Sequence, residues 1–417
     1  MNKIYYVGLE KLKSRYTYQL TDWNVREFER LKVPYHVVEG GTLDGSEDIS
    51  LGQVLDAYNR PYYALSQIQN LIGLIKYKTI TSEDVIFFED MFHPGIESLF
   101  YIFSFLPKED RPKIVMRCLA QTIDPDDFVH KAGMEGWMRK YEEMCISFVD
   151  SIFVASQEML CNFQIAGWNT IPVVVTGLPF GKQEVQSRAS PKPWLKRKMR
   201  VVFAARTDEE KMPEFFIELA ELFKGKKVLN KKIEFVVLSG KGLTSNNKHT
   251  LKSLQDASKA GTIKIVDNLS KNEYYDYLAD SKVLFNCALQ DWVSNTLSEA
   301  DALGCNVLYP AYRSFPEALS NDETRLYVPW SLADAERKLS RLLIWEHPLM
   351  GKVSDLQDAT IANTIRAISQ LGKRNLALRS NSSWHADGIL PYTQDNHNSS
   401  TNLENHWNDF TYRNYAK

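Results

Sequence analysis

The chain has 417 residues, of which 44% are hydrophobic and 24% charged, a composition typical of globular proteins rather than disordered or fibrous ones. One hydrophobic core does not usually organise a chain of this length, so we expect two domains. Fifty basic and 52 acidic residues leave a net charge of -2, which excludes a chain-wide attraction to nucleic acid or anionic membranes but allows local patches.

Apolar runs alternate with amphipathic stretches along the first part of the chain, which indicates a doubly wound α/β sheet. The predicted strands are residues 4–8, 35–38, 84–88, 113–116, 151–155 and 173–176. Residues 51–76 have a helical pattern that we expect Pro61 to break. We predict a Rossmann-like N-terminal domain over residues 1–180.

The pattern changes over residues 181–199, which are polar and rich in cations and prolines, and we interpret them as an interdomain linker. Strand and helix patterns then alternate again, with strands predicted at 201–204, 233–238, 263–266, 283–287 and 306–309. Residues 200–373 are therefore predicted to form a second Rossmann-like domain that faces the first across a central cleft. We expect the tail, residues 374–417, to pack back on the N-terminal domain.

Several classes of protein are excluded by simple counts. No apolar run of roughly 18 residues occurs and the N-terminus lacks a signal-peptide layout, so we expect a cytoplasmic protein without membrane insertion. The five cysteines are odd in number, scattered and without a Cys-x-x-Cys pair. A disulfide framework and a cysteine zinc site are therefore not expected.

Two acids, Asp291 and Glu299, are separated by seven residues in the second half of the chain. A predicted strand ends before Asp291, and a helix is predicted to start near Ser294 or Asn295, followed by Thr296. Open α/β sheets bind ligands at strand carboxyl ends, where helix N-termini offer free amides. Carboxylates there suit sugar or ribose hydroxyls. The alternative is that Asp291 caps the helix and Glu299 is a solvated helical acid.

Two cations follow the first predicted strand of the same half. Arg206 comes directly after the strand, and Lys211 precedes Pro213, which is predicted to start a helix. A guanidinium fork and an ammonium at a strand edge suit a diphosphate and would stabilise the charge on a departing nucleoside diphosphate. The alternative is a pair of surface cations that balance the three acids between them.

A segment with Arg206 and Lys211 that precedes a segment with Asp291 and Glu299 resembles the arrangement in the retaining glycosyltransferases of the GT-B fold. That group carries an Arg and a Lys after the first strand of its C-terminal domain, and two acids seven residues apart before a glycine and a strand. Gly304, the strand at 306–309 and the pair Pro316-Glu317 also fit this plan. The resemblance implies two Rossmann-like domains, a retaining mechanism in which the departing phosphate takes the acceptor proton, and no metal.

The same resemblance implies a nucleoside-diphosphate sugar as donor substrate and no tightly bound cofactor. A UDP-sugar, for example UDP-glucose or UDP-arabinose, is favoured. The implied donor-site residues are Arg206, Lys211, Asp291, Asn295, Thr296, Glu299 and Gly8. Of these, Arg206 and Lys211 would hold the diphosphate, and Glu299 would bind the ribose. The chain departs from the family where Asp replaces the usual Glu at 291 and where Trp292 and Val293 replace small residues. We expect Asp291 and Trp292 to contact the substrate sugar.

Polar loops that follow the strands of the first half are the predicted acceptor side. Arg15, Tyr16 and Asp124 are predicted acceptor contacts, and Asp124 belongs to an Asp-x-Asp triplet that we interpret as a loop acid cluster rather than a metal site. His93 is the histidine of this half that follows a strand. It is predicted to act as a general base or a positioning contact; the alternative is a loop histidine without a chemical role.

Segments 14–17, 92–97 and 123–128 also resemble bacteriophage transferases that attach sugars to hydroxymethylated bases of viral DNA. This resemblance implies a double-stranded DNA acceptor, such as one containing hydroxymethylcytosine, and the host cytoplasm as location. The candidate DNA-binding cations lie at 11–15, 192–200 and 224–232. Two alternatives stay open: a bacterial surface-glycan or lipid-linked transferase, and a non-catalytic nucleotide-sugar-binding module. The oligomeric state is not predicted.

Overall fold

The computed structural model describes residues 3–10, 17–43, 57–189, 191–240, 242–289 and 291–371. These residues belong to one compact unit, Met1–Ala377. The predicted acceptor contacts Arg15 and Tyr16, the cations at 11–15 and the tail at 374–417 lie outside the described residues.

The first half of the chain forms a parallel sheet in the order β2-β1-β3-β4-β5-β6. Helices cover both faces, so most of the strands are continuous apolar runs, as the sequence indicates. The order reverses between β1 and β3, and loops at such a point open a crevice for ligands. The strands are β1 (Ile4–Val7), β2 (Tyr35–Val37), β3 (Val85–Phe88), β4 (Lys113–Arg117), β5 (Ser151–Val154) and β6 (Val173–Val175).

Helix α2 begins at Asn59, two residues before Pro61, and residues 51–56 of the predicted helical pattern lie outside the described residues. Pro61 lies in the first turn of the helix, where its missing N–H would have no intrahelical partner in any case. The helices of this half are α1 (Thr17–Arg30), α2 (Asn59–Lys76), α3 (Glu97–Ser104), α4 (Phe128–Lys131), α5 (Glu135–Phe148), α6 (Gln157–Ile165) and α7 (Lys182–Arg188).

The second half forms another parallel sheet in the order β11-β10-β7-β12-β13-β14, with a short antiparallel hairpin of β8 and β9 beside it. Here the order reverses between the adjacent strands β7 and β12. The strands are β7 (Lys198–Phe203), β8 (Lys227–Val228), β9 (Lys231–Lys232), β10 (Glu234–Leu238), β11 (Lys264–Val266), β12 (Ser281–Phe285), β13 (Asn306–Pro310) and β14 (Leu326–Tyr327).

The last described helix returns to the first half of the protein. Helix α15 packs on α1, and Arg117 of β4 donates a hydrogen bond from Nη2 to Thr364 Oγ1 at 3.1 Å. The helices of the second half are α8 (Pro213–Leu222), α9 (Lys248–Lys259), α10 (Lys271–Ala279), α11 (Asn295–Ala302), α12 (Phe315–Ala318), α13 (Leu332–Ile344), α14 (Lys352–Asp358) and α15 (Thr360–Gln370). Within the described ranges, no helix has both the length and the apolar character needed to cross a bilayer.

Candidate functional site

The loops that follow β7 and β12 meet at the carboxyl edge of the second sheet, because the two strands are neighbours. The N–H of Leu289 donates to the carbonyl of Glu210 at 2.8 Å. The thiol of Cys287 lies 3.2 Å from the carbonyl oxygen of Met212. These contacts pack the segment that contains Arg206 and Lys211 against the segment that contains Asp291.

Arg206 projects from this edge with its side chain 51% exposed. Its Nη1 lies 2.6 Å from Asp208 Oδ2, and its Nη2 lies 2.8 Å from Glu210 Oε1. The two carboxylates each bind one terminal nitrogen of the guanidinium at the protein surface. An incoming anion can compete with them for these two nitrogen atoms. The alternative interpretation, a cation balanced by local acids, describes these contacts equally well.

Asp291 is half-buried next to the two predicted cations. Burial raises the pKa of its carboxyl group, while the charges of Lys211 and Arg206 and a hydrogen bond from Ser294 oppose that shift. Lys211 is itself buried. The structure thus brings Arg206, Lys211 and Asp291 into one electrostatic cluster, as the order of residues in the sequence predicts.

A cluster of hydroxyl groups lies between Asp291 and Glu299 at the start of α11. Ser294 Oγ is 2.9 Å from Thr296 Oγ1 and 3.0 Å from Tyr309 Oη. Burial raises the pKa of Tyr309, and the nearby charges of both acids raise it further. These hydroxyl groups offer donors and acceptors to a polar ligand.

Asn295 occupies the first position of α11. Its Oδ1 atom is buried and has no hydrogen-bond partner among the described residues. A buried acceptor without a donor is uncommon, because its desolvation is uncompensated. The position beside the hydroxyl cluster fits an acceptor that a bound ligand satisfies.

Glu299 is only 4% exposed, so the alternative of a solvated helical acid is wrong. Its carboxylate accepts hydrogen bonds from Tyr274 Oη at 2.8 Å, from Tyr275 Oη at 3.2 Å and from Lys271 Nζ at 2.6 Å. These three residues of α10 were not predicted from the sequence. The Ser270–Glu273 capping box, directly after a predicted strand, is the signal that places a helix N-terminus at this edge.

Trp292 and Asp124 were predicted to contact the substrate, but each side chain instead binds a residue from the other half of the protein. Trp292 is 7% exposed and donates from Nε1 to Asp127 Oδ2 at 3.3 Å. Asp124 Oδ1 lies 3.0 Å from Nη1 of Arg313, which the sequence analysis did not single out. Neither side chain is open to a sugar in this structure.

His93 lies in the loop after β3 and is 3% exposed. Its Nε2 is 3.0 Å from Gln67 Oε1, while its Nδ1 is buried without a partner in the described part of the chain. Burial, and then the charge of Arg60, lowers the pKa of His93 to about 3. An imidazole with this pKa stays neutral and is a weak base, which favours the positioning role over general-base catalysis.

Gly8 directly follows β1 and shares Gln67 with His93, because Gln67 Nε2 donates to the Gly8 carbonyl at 3.0 Å. A Cβ at position 8 would come within 2.7 Å of Thr21 Oγ1, so the close approach of α1 to β1 favours glycine here. Beside this pair, Arg60 is buried between Glu10 at 2.6 Å and Asp90 at 2.9 Å. The loops after β1 and β3 are thereby joined into one polar cluster.

Two of the three groups of candidate DNA-binding cations lie at the amino edge of the second sheet, away from Arg206. Lys198 begins β7, and both Lys192 and Lys198 pair with Asp280, at 2.7 and 3.3 Å. Lys231 and Lys232 form β9, directly before β10. These cations therefore lie at the opposite end of the strands from Arg206.

Metal binding finds no support in the part of the chain that the structure describes, where no group of 3 or more His, Cys, Asp or Glu side chains is arranged to hold an ion. The Asp-x-Asp triplet is engaged by Arg313, whose Nη2 lies 2.5 Å from Asp126 Oδ2.

The structure is similar to several solved structures over nearly the whole chain. Sucrose-phosphate synthase from Thermosynechococcus elongatus matches with a TM-score of 0.62 and 10% identity over 89% of this chain and 99% of the other. The lipopolysaccharide outer core galactosyltransferase WaaB matches with a TM-score of 0.58 and 12% identity, over 88% of this chain and 99% of the other. HepE of Anabaena, solved with UDP and glucose, matches with a TM-score of 0.56 and 11% identity, over 90% of this chain and 100% of the other.

Sequence comparison adds nothing to this, since no protein family and no curated protein matches the chain. At these identities the likeness establishes the fold alone. Together with the two six-stranded parallel sheets, it shows that the chain has the GT-B fold, as the sequence analysis predicted.

Proposed function

We propose that this protein is a glycosyltransferase that moves a sugar from a nucleoside diphosphate to a hydroxyl acceptor. The observation that carries the proposal is the cluster of Arg206, Lys211 and Asp291 at the carboxyl edge of the second sheet, next to the buried Glu299. The fold shared with a sucrose-phosphate synthase and a galactosyltransferase supports it.

In the proposed reaction the two cations hold the donor diphosphate and stabilise the charge that develops as it departs. Glu299, held by Lys271 and two tyrosines, binds the ribose hydroxyls, and Asp291 contacts the donor sugar. The donor is a UDP-sugar, a choice supported by the structural neighbour that contains UDP and glucose. The reaction retains configuration: the departing phosphate takes the acceptor proton, so the weakly basic His93 only positions the acceptor.

For the acceptor, we propose a hydroxymethylated pyrimidine in double-stranded DNA. This finer proposal rests on the resemblance of segments 92–97 and 123–128 to phage transferases. The positions of the cations at 192–200 and 224–232 give it no support, because those residues lie at the wrong edge of the sheet. DNA would then be bound by the first half of the protein.

The test is the release of nucleoside diphosphate from a panel of UDP- and GDP-sugars. Each donor is assayed with hydroxymethylcytosine DNA, hydroxymethyluracil DNA, unmodified DNA and no acceptor. We expect release from a UDP-sugar that depends on one modified DNA and weakens steeply with salt. Equal release with every acceptor would reject DNA and favour the glycan or lipid-linked alternative, and no release from any donor would reject the enzyme.

A further inference from the structure

The loop that carries Asp291 is connected to the first half of the protein through its next residue. Trp292 belongs to the buried apolar cluster of the first sheet, whose other buried members come from residues 5–168. Its indole N–H donates to Asp127, which also accepts from the backbone N–H of Val129 at 3.2 Å. The position of Trp292 is therefore set by residues outside its own sheet.

Arg313 makes a second connection, from the loop after β13. Its side chain is 10% exposed and lies between Asp124 at 3.0 Å and Asp126 at 2.5 Å, with Glu158 at 3.6 Å. Its guanidinium carbon is 5.8 Å from the centre of the Trp292 ring. A buried guanidinium requires such partners, since without them its desolvation is uncompensated. All three carboxylates come from the first half of the chain.

The two connections converge on the main chain of Asp291. Trp292 follows it directly, and Ser314, the neighbour of Arg313, donates from Oγ to the Asp291 carbonyl at 3.0 Å. Arg313 has a φ of 49°, in the left-handed region. A residue other than glycine keeps this conformation only when the surrounding structure stabilises it. Asp291 is thus held on both sides by residues anchored to the loop at 124–127.

We propose that Arg313 and Trp292 are positioning residues that align Asp291 with the donor by linking its loop to the acceptor-side loop at 124–127. This rests on the proposed function of Asp291 as a donor-sugar contact. Arg206, Lys211 and Glu299 belong to the second half alone and do not need this link to bind a nucleotide. Nucleotide affinity and turnover therefore respond differently when the link is broken.

Arg313→Met and Trp292→Phe are the test variants: the first removes the charge, and the second removes the indole N–H but keeps an aromatic ring. Arg200→Met is the matched control, because Arg200 is 5% exposed and pairs with Glu234 at 2.6 Å within the second sheet. Asp126→Asn provides a milder break of the link, since Asp126 is 35% exposed.

Turnover and the dissociation constant for UDP are measured for each variant. We expect kcat to fall by at least about tenfold in both test variants while UDP affinity stays within about twofold, because misaligned reacting groups cost rate rather than nucleotide binding. The kcat of Asp126→Asn should lie between that of the two test variants and that of the wild type. Arg200→Met should keep the wild-type kcat. An unchanged kcat in folded test variants, or a parallel loss of UDP affinity, would overturn the proposal.

A second measurement separates this proposal from the proposed function, because it needs no activity. Spin labels are placed at Tyr77→Cys and Lys259→Cys, one exposed position in each half, after Cys161→Ser removes the exposed thiol. The distance distribution between the labels should broaden in Arg313→Met and stay unchanged in Arg200→Met. If the wild type transfers no sugar, the function fails while this readout still applies; a distribution that Arg313→Met leaves unaltered contradicts the link.

Discussion

Arg206 is bound by Asp208 and Glu210, yet about half of its side chain remains in contact with solvent. Exposed ion pairs of this kind contribute little to stability, typically about 0–1 kcal/mol. The two acids therefore orient the guanidinium more than they stabilise the fold. A diphosphate, with more charge than either carboxylate, can replace them without a large rearrangement.

We predict that Arg206→Ala lowers sugar transfer by about 100- to 1,000-fold, the usual effect of removing one group that stabilises developing charge. Arg30→Ala is the matched control, because Arg30 is 65% exposed and pairs with Glu27 in a similar way, outside the candidate site. The measurement is nucleoside-diphosphate release under saturating donor. A variant that binds UDP more weakly but keeps the wild-type turnover would contradict a catalytic role for Arg206.

Helix α11 carries Asn295, Thr296 and Glu299, and its end is defined by Gly304. Gly304 has a φ of 71°, and a Cβ there would lie 2.7 Å from Arg197 Nη2. Arg197 cannot easily move aside, because it is buried and donates to the carbonyls of Lys192 at 2.8 Å and Leu303 at 2.8 Å. The end of the helix and the start of β7 are thus packed around a position without a side chain.

We predict that Gly304→Ala destabilises the protein by about 2–4 kcal/mol, from backbone strain and from the displaced Arg197 hydrogen bonds. Gly225→Ala is the control: its φ is 77°, but a Cβ there meets nothing within 4 Å, so only the strain is expected. Chemical denaturation measures both. Equal losses in the two variants would show that contact with Arg197 costs nothing.

At the scale of the whole molecule, half-buried carboxylates that are costly to ionise lie where the two halves meet. Glu317, in the second half, accepts from the backbone N–H of Gln157 at 3.0 and 2.9 Å and so caps α6 of the first half. Burial raises the pKa of Glu317 to about 7, opposed by hydrogen bonds from the N–H groups of Gln157 and Glu158. Burial likewise raises the pKa of Glu158 to about 7.

These shifts predict that stability falls as the pH rises. A carboxyl group whose folded pKa lies above its unfolded value of 4.5 binds more protons in the folded state between those two values. The free energy of unfolding should therefore decrease between about pH 5 and about pH 7.5. This decrease should be smaller in Glu317→Gln than in the wild type, by up to about 3 kcal/mol. Glu323→Gln, an exposed glutamate nearby, is the control. Parallel stability curves for all three proteins would contradict the shift.

Most of the fold could be predicted because strand and helix patterns are local. Buried parallel strands such as β3 need apolar side chains on both faces, so they can be read directly from the sequence. The same locality explains why Arg206 and Asp291 could be assigned to one edge, since both follow strands. The start of α2 close to Pro61 has the same local origin, because a proline is tolerated in the first turn of a helix but not beyond it.

The sequence by itself predicted the two α/β sheets, the GT-B fold and the order of Arg206, Lys211, Asp291 and Glu299. Tertiary structure alone decided that Glu299 is buried against α10, that Trp292 lies among residues of the first sheet, and that Arg313 pairs with Asp124 and Asp126. The contacts of Trp292 and Arg313 join residues more than 150 positions apart. They depend on how two independently patterned sheets are placed against each other, which no local periodicity encodes.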